Sequence, residues 1–214
     1  MPAIPPERLK LTEDLPGQTT VLETKEAPWR IAGEVLRTYI ICESEDGSLW
    51  LIDKHAAHER MNFDRMKAEG YDPMSQTLLA PAVCRLSPEE HAALTARLPL
   101  LEEFGFAAED FGGGALIVRR APFDVDPGDI EATLTEIARK LLSTGSADPA
   151  AARDELLHTM ACKAAIKGGW RTSPQELERV ARAVMSGQVR YCPHGRPVAI
   201  ELTRGQLEKQ FKRA

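Results

Sequence analysis

The sequence lacks any long uninterrupted run of apolar residues, so it predicts no transmembrane helix and no membrane partner. Its N-terminus, which begins Met-Pro-Ala-Ile-Pro-Pro, lacks the apolar segment of a signal peptide. Cysteine is scarce, with four widely scattered residues among 214. In the absence of a secretion signal, these cysteines indicate thiols or metal ligands in a reducing compartment, not a disulfide framework.

Excess basic charge is also missing. The chain has 27 Lys and Arg residues against 32 Asp and Glu residues, which gives a formal net charge of -5. A field of this sign does not attract nucleic acid. If DNA is the substrate, its affinity must come from a local basic patch, a partner or a missing part of the chain. The only dense basic segment is the tail, Lys209 to Arg213.

What is present is a chain that is 43% hydrophobic, enough for one large domain or two small ones. Residues 1–27 are rich in Pro, Glu and Thr and read as a linker or disordered arm. Turn-forming residues near 72 and 148 indicate boundaries around a middle block. Strand and helix patterns alternate in that block, so we expect a mixed α/β (α+β) fold.

The periodicity predicts individual elements, several with clear end signals. Ser87 opens a capping box, and Pro99 should kink or split the helix that follows. Gly112 to Gly114 is read as a turn, with a phosphate cradle as the less favoured alternative. The predicted strands are 33–42, 49–52, 77–85, 115–120, 188–191 and 198–202, and the predicted helices are 55–69, 87–104, 129–142, 150–166, 173–185 and a last one that includes 211–213.

The stretch Asp53 to Arg60 concentrates groups that bind metals. It follows a buried strand and opens an amphipathic helix, so Asp53 can cap the helix N-terminus. His55 and Glu59 are four residues apart and share one face of that helix. Cys192 and His194, in Cys-Pro-His on a late turn, supply a second pair, and Cys162 is a fifth candidate.

The types of donor atom do not decide which metal ion would bind. Zinc prefers Cys sulfur, His nitrogen and carboxylate oxygen, whereas manganese and magnesium prefer carboxylates and water. A mixed set could hold two metals bridged by one carboxylate. The alternatives are structural: Asp53 as a cap only, His58 as a solvated side chain, and Cys162 as a small core residue. A zinc hydrolase acting on another substrate also stays open, whereas Cys42 and Cys84 are predicted to lie in the core.

Four segments together resemble the C-terminal endonuclease domain of the MutL family of DNA mismatch-repair proteins, from about residue 28 to the end. The family's D-Q-H-A-x-x-E-x-x-x-x-E reads here from Asp53 to Asp64, and its A-C-R is Ala161 to Lys163. Its C-P-H-G-R-P stands unchanged from residue 192 to 197, and its terminal F-x-R is residues 211–213. Lys54, Asp64 and Lys163 replace the usual Gln, Glu and Arg. The first two replacements affect the fine tuning of charge around the site but not the ligand set.

The resemblance implies a latent endonuclease that nicks one strand of duplex DNA, with manganese supporting the cutting and zinc in a regulatory or structural site. Carried over by position, the catalytic residues are Asp53 and Glu59. The metal ligands are His55, Glu59, Cys162, Cys192 and His194. From its guanidinium we add Arg196 as a phosphate contact.

The resemblance also implies a bacterial, cytoplasmic homodimer that joins the nucleoid during repair. Its dimerisation and metal-site subdomain comprises residues 28–71 and 149–214, and a smaller regulatory subdomain, residues 72–148, is inserted between them. Full-length relatives begin with an ATPase module. We therefore expect this chain to be a fragment that meets ATP and the mismatch-recognition protein MutS only through the full-length protein.

Residues 76 to 82 resemble the Q-x-x-[LI]-x-P segment by which such domains dock on the replicative sliding clamp. Gln76, Leu79 and Pro81 match, whereas Ala82 stands where the family has a larger aliphatic residue. An ordinary strand is the alternative for this segment. If the metal site is only structural, the chain would be a zinc-stabilised homodimerisation and clamp-docking module without nuclease activity.

Overall fold

A computed structural model describes residues 27–144, 148–167 and 169–213. The predicted arm therefore lies almost entirely outside the described residues. The strands are β1 Trp29–Val35, β2 Tyr39–Ser44, β3 Leu49–Asp53, β4 Ser75–Arg85, β5 Ala107–Gly112, β6 Ala115–Pro122 and β7 Ala199–Leu202. The helices are α1 Lys54–Glu69, α2 Pro88–Thr95, α3 Leu98–Glu103, α4 Ile130–Ser143, α5 Pro149–Lys163, α6 Pro174–Met185 and α7 Arg204–Gln210.

The strands form two antiparallel sheets, and the mixed α/β fold class is confirmed. One sheet has the order β1-β2-β3-β7 and draws its strands from both ends of the described chain, whereas the other has the order β4-β6-β5 and comes from the middle. None of the helices in the described ranges is long and apolar enough to cross a bilayer. The division into subdomains near residues 72 and 148 stays a prediction.

Helix α1 joins two hydrophobic cores. Ala57, in its first half, packs with Ile40, Ile52 and α6 residue Val180 beneath the four-stranded sheet. Further along, Phe63 and Met66 enter a larger core with β6, α4 and α5. The buried residues Cys42 and Cys84 lie one in each core, as predicted. Because α1 is fixed in both cores, the side chains at its start are held in a defined position.

The predicted strand from 33 to 42 is wrong in its extent, because the chain reverses inside it. β1 and β2 form a hairpin in which Val35 pairs with Tyr39. The turn residues Leu36 and Arg37 have φ values of 53° and 48°, in the left-handed region that normally favours Gly or Asn. Leu-Arg carries no turn signal, so nothing in the local sequence predicts the reversal.

Of the other predicted elements, some are confirmed and others are wrong in extent or were missed. Ser87 forms the capping box, Pro99 separates α2 from α3, and the glycine triplet turns the chain between β5 and β6. The predicted strand 188–191 is reduced to one bridge between Tyr191 and Pro197. The last helix ends at Gln210, so residues 211–213 lie beyond it. Strand β5, rich in Ala, Glu and Asp, was not predicted because its composition does not favour a strand.

Candidate metal centre

The first component of the centre is the junction between β3 and α1. Asp53 ends the strand, and its Oδ1 accepts a hydrogen bond of 3.0 Å from the Ala56 amide, which caps the helix as predicted. The Asp53 amide donates to the Val198 carbonyl at 2.8 Å, which ties the junction to the chain just before β7. The late part of the chain is thereby held beside the start of α1.

Three side chains converge where α1 faces α5. His55, Glu59 and Cys162 each offer a ligand atom, and these atoms all lie within 4.8 Å of one another. One nitrogen, one oxygen and one sulfur donor meet at a single point, which is a combination suited to a divalent transition metal. Cys162 is half-buried at this point and lies outside the buried residues of both cores, so it is not the small core residue of the alternative interpretation, and its role as a ligand stays a prediction.

Hydrogen bonding fixes the orientation of the His55 ring. Its Nδ1 lies 2.9 Å from the Ile166 carbonyl, so Nδ1 must carry the proton and Nε2 is left for a metal. A hydrogen bond with Cys162 raises the pKa of His55 to about 9, although burial opposes this. An ion bound at the cluster would displace the shared proton, since ligands bind in their deprotonated forms.

Glu59 supports the same interpretation. The residue is 4% exposed, and its Oε1 accepts no hydrogen bond from the residues that the structure describes. His194 Nδ1 lies 3.4 Å from this oxygen, at ion-pair distance when the ring is protonated. A buried carboxylate oxygen without a hydrogen-bond partner is costly, and a bound cation would satisfy it. The donor set and the orphaned oxygen therefore fit a divalent metal.

The late turn approaches the cluster through His194. The turn is closed by the Cys192 amide, which donates to the Arg196 carbonyl at 2.8 Å, and by Gly195 at a φ of 79°. His194 is about half exposed, whereas Cys192 is buried beneath the four-stranded sheet. Cys192, His194 and Asp53 all lie outside the group of three mutually close ligands, and Arg196 is exposed.

The unusual Lys54 is completely buried. Its Nζ forms an ion pair with Glu34 at 2.6 Å and donates to the Trp170 carbonyl and the Thr172 hydroxyl, both at 2.8 Å. These contacts connect the start of α1 to β1 and to the segment that follows α5. Lys54, which stands between Asp53 and His55 in the sequence, therefore has a structural role and holds the start of α1 in place.

His58 is not the solvated side chain that the sequence left open. It is 7% exposed and accepts a hydrogen bond of 3.1 Å from the Ile166 amide at Nδ1. Its Nε2 lies 3.0 Å from a Glu176 oxygen and 2.8 Å from an Arg179 nitrogen. Burial lowers the pKa of His58, so the neutral ring is favoured. His55 and His58 together hold both backbone groups of Ile166.

His158 was missed in the sequence analysis. Its ring stacks on Phe63 at a centroid distance of 4.1 Å and lies 5.9 Å from the His194 ring. Burial lowers its pKa. His158 precedes Cys162 by four residues on α5, so the helical spacing from a candidate ligand was the signal that could have found it.

The two remaining motif positions do not join the cluster. Asp64 pairs with Arg60 on the outer part of α1 at 2.8 Å. Lys163 lies 3.8 Å from Glu136 of α4. Both are surface ion pairs of small energetic weight, so these departures from the family pattern leave the three converging ligands unchanged.

The predicted clamp segment forms a bulge on β4. Thr77 pairs with Arg120 and Ala82 with Val118, so four residues of β4 stand opposite a single residue of β6. Leu79 is fully exposed at this bulge, and Pro81 is also exposed. Gln76 is half-buried, and its amide nitrogen lies 3.4 Å from the Val125 carbonyl.

The fold and the cluster define a class, an α/β domain in which two packed helices bring nitrogen, oxygen and sulfur donors together. The family model described as the MutL C terminal dimerisation domain matches residues 32–172. The chain belongs to the MutL family of DNA mismatch-repair proteins, as the motifs predicted.

Three relatives, each named DNA mismatch repair protein MutL, show how far the similarity extends. The protein of Anaeromyxobacter dehalogenans (strain 2CP-C) is 42% identical over 195 residues, 86% of this chain and 31% of the relative. That of Methanoculleus marisnigri is 35% identical over 191 residues, 85% of this chain and 31% of the relative. That of Caulobacter vibrioides (strain NA1000 / CB15N) is 36% identical over 208 residues, 94% of this chain and 32% of the relative. The chain thus spans about a third of the length of each.

Proposed function

We propose that this chain is the metal-dependent endonuclease part of a MutL-type protein and nicks one strand of duplex DNA during mismatch repair. One observation carries the proposal: His55, Glu59 and Cys162 converge within 4.8 Å, and Glu59 contributes a buried oxygen without a hydrogen-bond partner among the described residues. Asp53, at the start of the same helix, places a second carboxylate two residues before His55 in sequence.

The residues have separable roles in this proposal. His55, Glu59, Cys162, Cys192 and His194 would hold the metal, with zinc favoured by the sulfur and nitrogen donors and manganese by Asp53 and Glu59. A divalent ion bound there would activate water and stabilise the charge on the leaving phosphate oxygen. Asp53 and Glu59 are the catalytic carboxylates. The exposed guanidinium of Arg196 would bind and orient the phosphate.

The test is nicking of supercoiled plasmid in the presence of manganese. We expect Asp53→Asn to reduce nicking by about 10²-fold or more, the usual scale for a positioned carboxylate. Asparagine also caps helices, so the fold should survive. Asp154→Asn is the matched control, since Asp154 forms an exposed ion pair with Lys67 on α1. Equal nicking by the unsubstituted chain and Asp53→Asn would show that the catalytic assignment is wrong.

Metal content tests the ligand set separately from activity. We expect the unsubstituted chain to retain zinc after dialysis, and Cys162→Ser to lose most of it because serine is a poorer zinc ligand. Cys84→Ala is the control, since Cys84 is buried in the larger core. Anomalous scattering at the zinc edge would then show whether the ion lies between Glu59, His55 and the late turn.

Homodimerisation is supported by the family model, which describes a dimerisation domain. We place the dimer contact on the outer face of the four-stranded sheet. Ile41, Leu51 and Ile200 lie directly opposite one another across β2, β3 and β7, and Ile200 is 56% exposed. This row faces away from the side where Ile40 and Ile52 enter the core. A second copy of the chain would cover it. Residues 28–71 and 149–214 would then form the dimerisation subdomain and residues 72–148 the regulatory one.

The second candidate function is a zinc-stabilised dimerisation and clamp-docking module without nuclease activity. The observation that favours docking is Leu79, which is fully exposed at the β4 bulge. Leu79→Ala should weaken binding to a bacterial sliding clamp, whereas Leu142→Ala, another exposed leucine, should not. Zinc without manganese-dependent nicking would favour this candidate. ATP and MutS would act through the rest of the full-length protein in either case.

A further inference from the structure

Two segments that are distant in sequence meet beside the metal centre. The Gly169 amide donates a hydrogen bond of 2.9 Å to the Arg37 carbonyl, at the tip of the β1–β2 hairpin. The Trp170 carbonyl accepts from Lys54 at 2.8 Å. The hairpin tip is therefore held against the segment that follows α5. We call Leu36, Arg37, Lys167, Trp170 and Arg171 the tip surface.

The tip surface is connected directly to the cluster. His55 donates to the Ile166 carbonyl, one residue before Lys167. Lys54, which holds Trp170 and Thr172, directly precedes His55 in the chain. The segment is thus fixed to the first turn of α1 at both of its ends. Any molecule bound on this segment lies next to the candidate metal ligands.

The side chains of the tip surface combine apolar exposure with positive charge. Leu36 is 80% exposed and Trp170 is 59% exposed, although leucine and tryptophan side chains are mostly buried in folded proteins. Arg37 and Arg171 are exposed, and the Lys167 ammonium lies 5.2 Å from the centre of the Trp170 ring. Asp126 is the neighbouring acidic group, 3.7 Å from Lys167. The tip surface thus carries three basic side chains on a chain whose net charge is -5, while the nearby Glu34 is paired with the buried Lys54.

The backbone at the tip supports a functional role. Leu36 and Arg37 have φ values of 53° and 48°, a conformation that non-glycine residues rarely adopt. The surrounding contacts hold it, since the Thr38 hydroxyl donates to the Leu36 carbonyl and the Thr38 carbonyl accepts from the Lys54 amide. A strained tip that exposes a leucine and an arginine is typical of a binding element.

We propose that the tip surface binds duplex DNA next to the scissile phosphate, with Arg37, Lys167 and Arg171 on backbone phosphates and Trp170 packed against the groove. The proposal rests on the proposed function and names the contact through which an acidic chain holds its anionic substrate. Phosphate contacts require a local positive field where the net charge is negative. An exposed tryptophan beside such charges suits insertion along a groove edge.

The first test measures binding of a fluorescent duplex without manganese, so that cutting plays no part. Each phosphate contact adds about 0.9 to the slope of log affinity against log salt concentration. Arg37→Gln with Arg171→Gln should therefore weaken binding and lower that slope by about 1.8. Arg119→Gln with Arg139→Gln is the matched control, because it removes two exposed positive charges from β6 and α4. An unchanged slope in the first variant would overturn the proposal, as would no binding by the unsubstituted chain at about 50 mM salt.

The second test uses the fluorescence of Trp170. The sequence has three tryptophans, so Trp29→Phe with Trp50→Phe leaves Trp170 as the single reporter. Duplex DNA should quench its emission, and an unchanged emission would overturn the contact. If the arginine variant alters the dimer in sedimentation while its DNA binding stays normal, the surface is a protein interface and the proposal is wrong. Salt-dependent binding through the tip surface without any manganese-dependent nicking would instead reject the proposed function alone.

Discussion

The two halves of α1 are held in place by different physical means. Its first turns are fixed by buried polar groups, with Lys54 paired to Glu34 and His55 and His58 bonded to Ile166. Its later turns are fixed by apolar packing, through Phe63 and Met66. Polar contacts have strict geometry, whereas apolar packing tolerates small shifts. The half of the helix that bears the candidate ligands is thus the half with directional contacts.

Substitutions at the two ends of α1 should therefore have different effects on stability and on the metal centre. Loss of a polar partner at the first end leaves a buried charge unpaired, which affects stability and site geometry together. Loss of an apolar side chain at the second end leaves a cavity, which lowers stability while the candidate ligands keep their positions.

The largest effect is expected for Lys54→Met. Removal of one partner from a buried ion pair typically destabilises a protein by about 3–5 kcal/mol, because the remaining charge is left without compensation. Glu34 would be that charge, since its side chain is 21% exposed. The free energy of unfolding from urea titration measures the loss. Adding Glu34→Gln to the same variant should recover part of it, and the absence of any recovery would contradict the pairing.

Met66→Ala is expected to have a similar or smaller effect on stability and none on the ligands. Met66 is 3% exposed in the larger core, and truncation of such a side chain usually lowers the free energy of unfolding by about 2–5 kcal/mol. Zinc binding by the folded variant should match that of the unsubstituted chain, whereas Lys54→Met should weaken it. Equal weakening by both substitutions would remove the distinction between the two halves.

The sequence predicted those features of the fold that depend on residues close together in the chain. Asp53 caps α1, Ser87 forms its capping box, and Pro99 separates two helices, because each signal acts within about one turn. The approach of His194 to Glu59 was expected from the resemblance, since no local rule brings residues so far apart in sequence together.

What could not be predicted depends on tertiary contacts. A lysine at the start of a helix is normally expected to be exposed to solvent. Lys54 is buried because Glu34, the Trp170 carbonyl and the Thr172 hydroxyl surround its ammonium. The hairpin at Leu36 and Arg37 has no turn residue, and its conformation is held by contacts from Thr38 and Gly169. His158 lies near the His194 ring and stacks on Phe63, and both of these neighbours are distant from it in sequence.

An intermediate effect is expected from metal binding itself. An ion that binds only the folded chain stabilises it by about 2.7 kcal/mol at a free concentration 100 times its dissociation constant. Zinc should therefore raise the melting temperature, and a chelator should reverse the rise. In Glu59→Gln the rise should be much smaller, because the orphaned carboxylate oxygen is replaced by a neutral amide. Glu69→Gln, at the exposed end of the same helix, is the matched control and should retain the full rise.

The smallest effect is the pH dependence of stability in the metal-free chain. Burial lowers the pKa of His58 in the folded state, helped by Arg179, Arg65 and His55 and opposed by Glu176. The unfolded chain therefore binds more protons below its ordinary pKa of about 6.5, and stability should fall as the pH decreases from there, by at most about 1.4 kcal/mol per pH unit for this group. The measurement is urea unfolding at several pH values.

Substitution separates His58 from the other histidines in that window. His55, with its pKa raised to about 9 in the folded chain, is almost fully protonated in both states only below about pH 5.5, so it contributes little slope in that acid range. Burial also lowers the pKa of His158, so His58→Gln should reduce the acid slope without abolishing it. Glu176→Gln should keep or steepen the slope, because it removes the one charge that favours protonated His58. A slope unaffected by His58→Gln would mean that the polar end of α1 does not respond to acid through this ring.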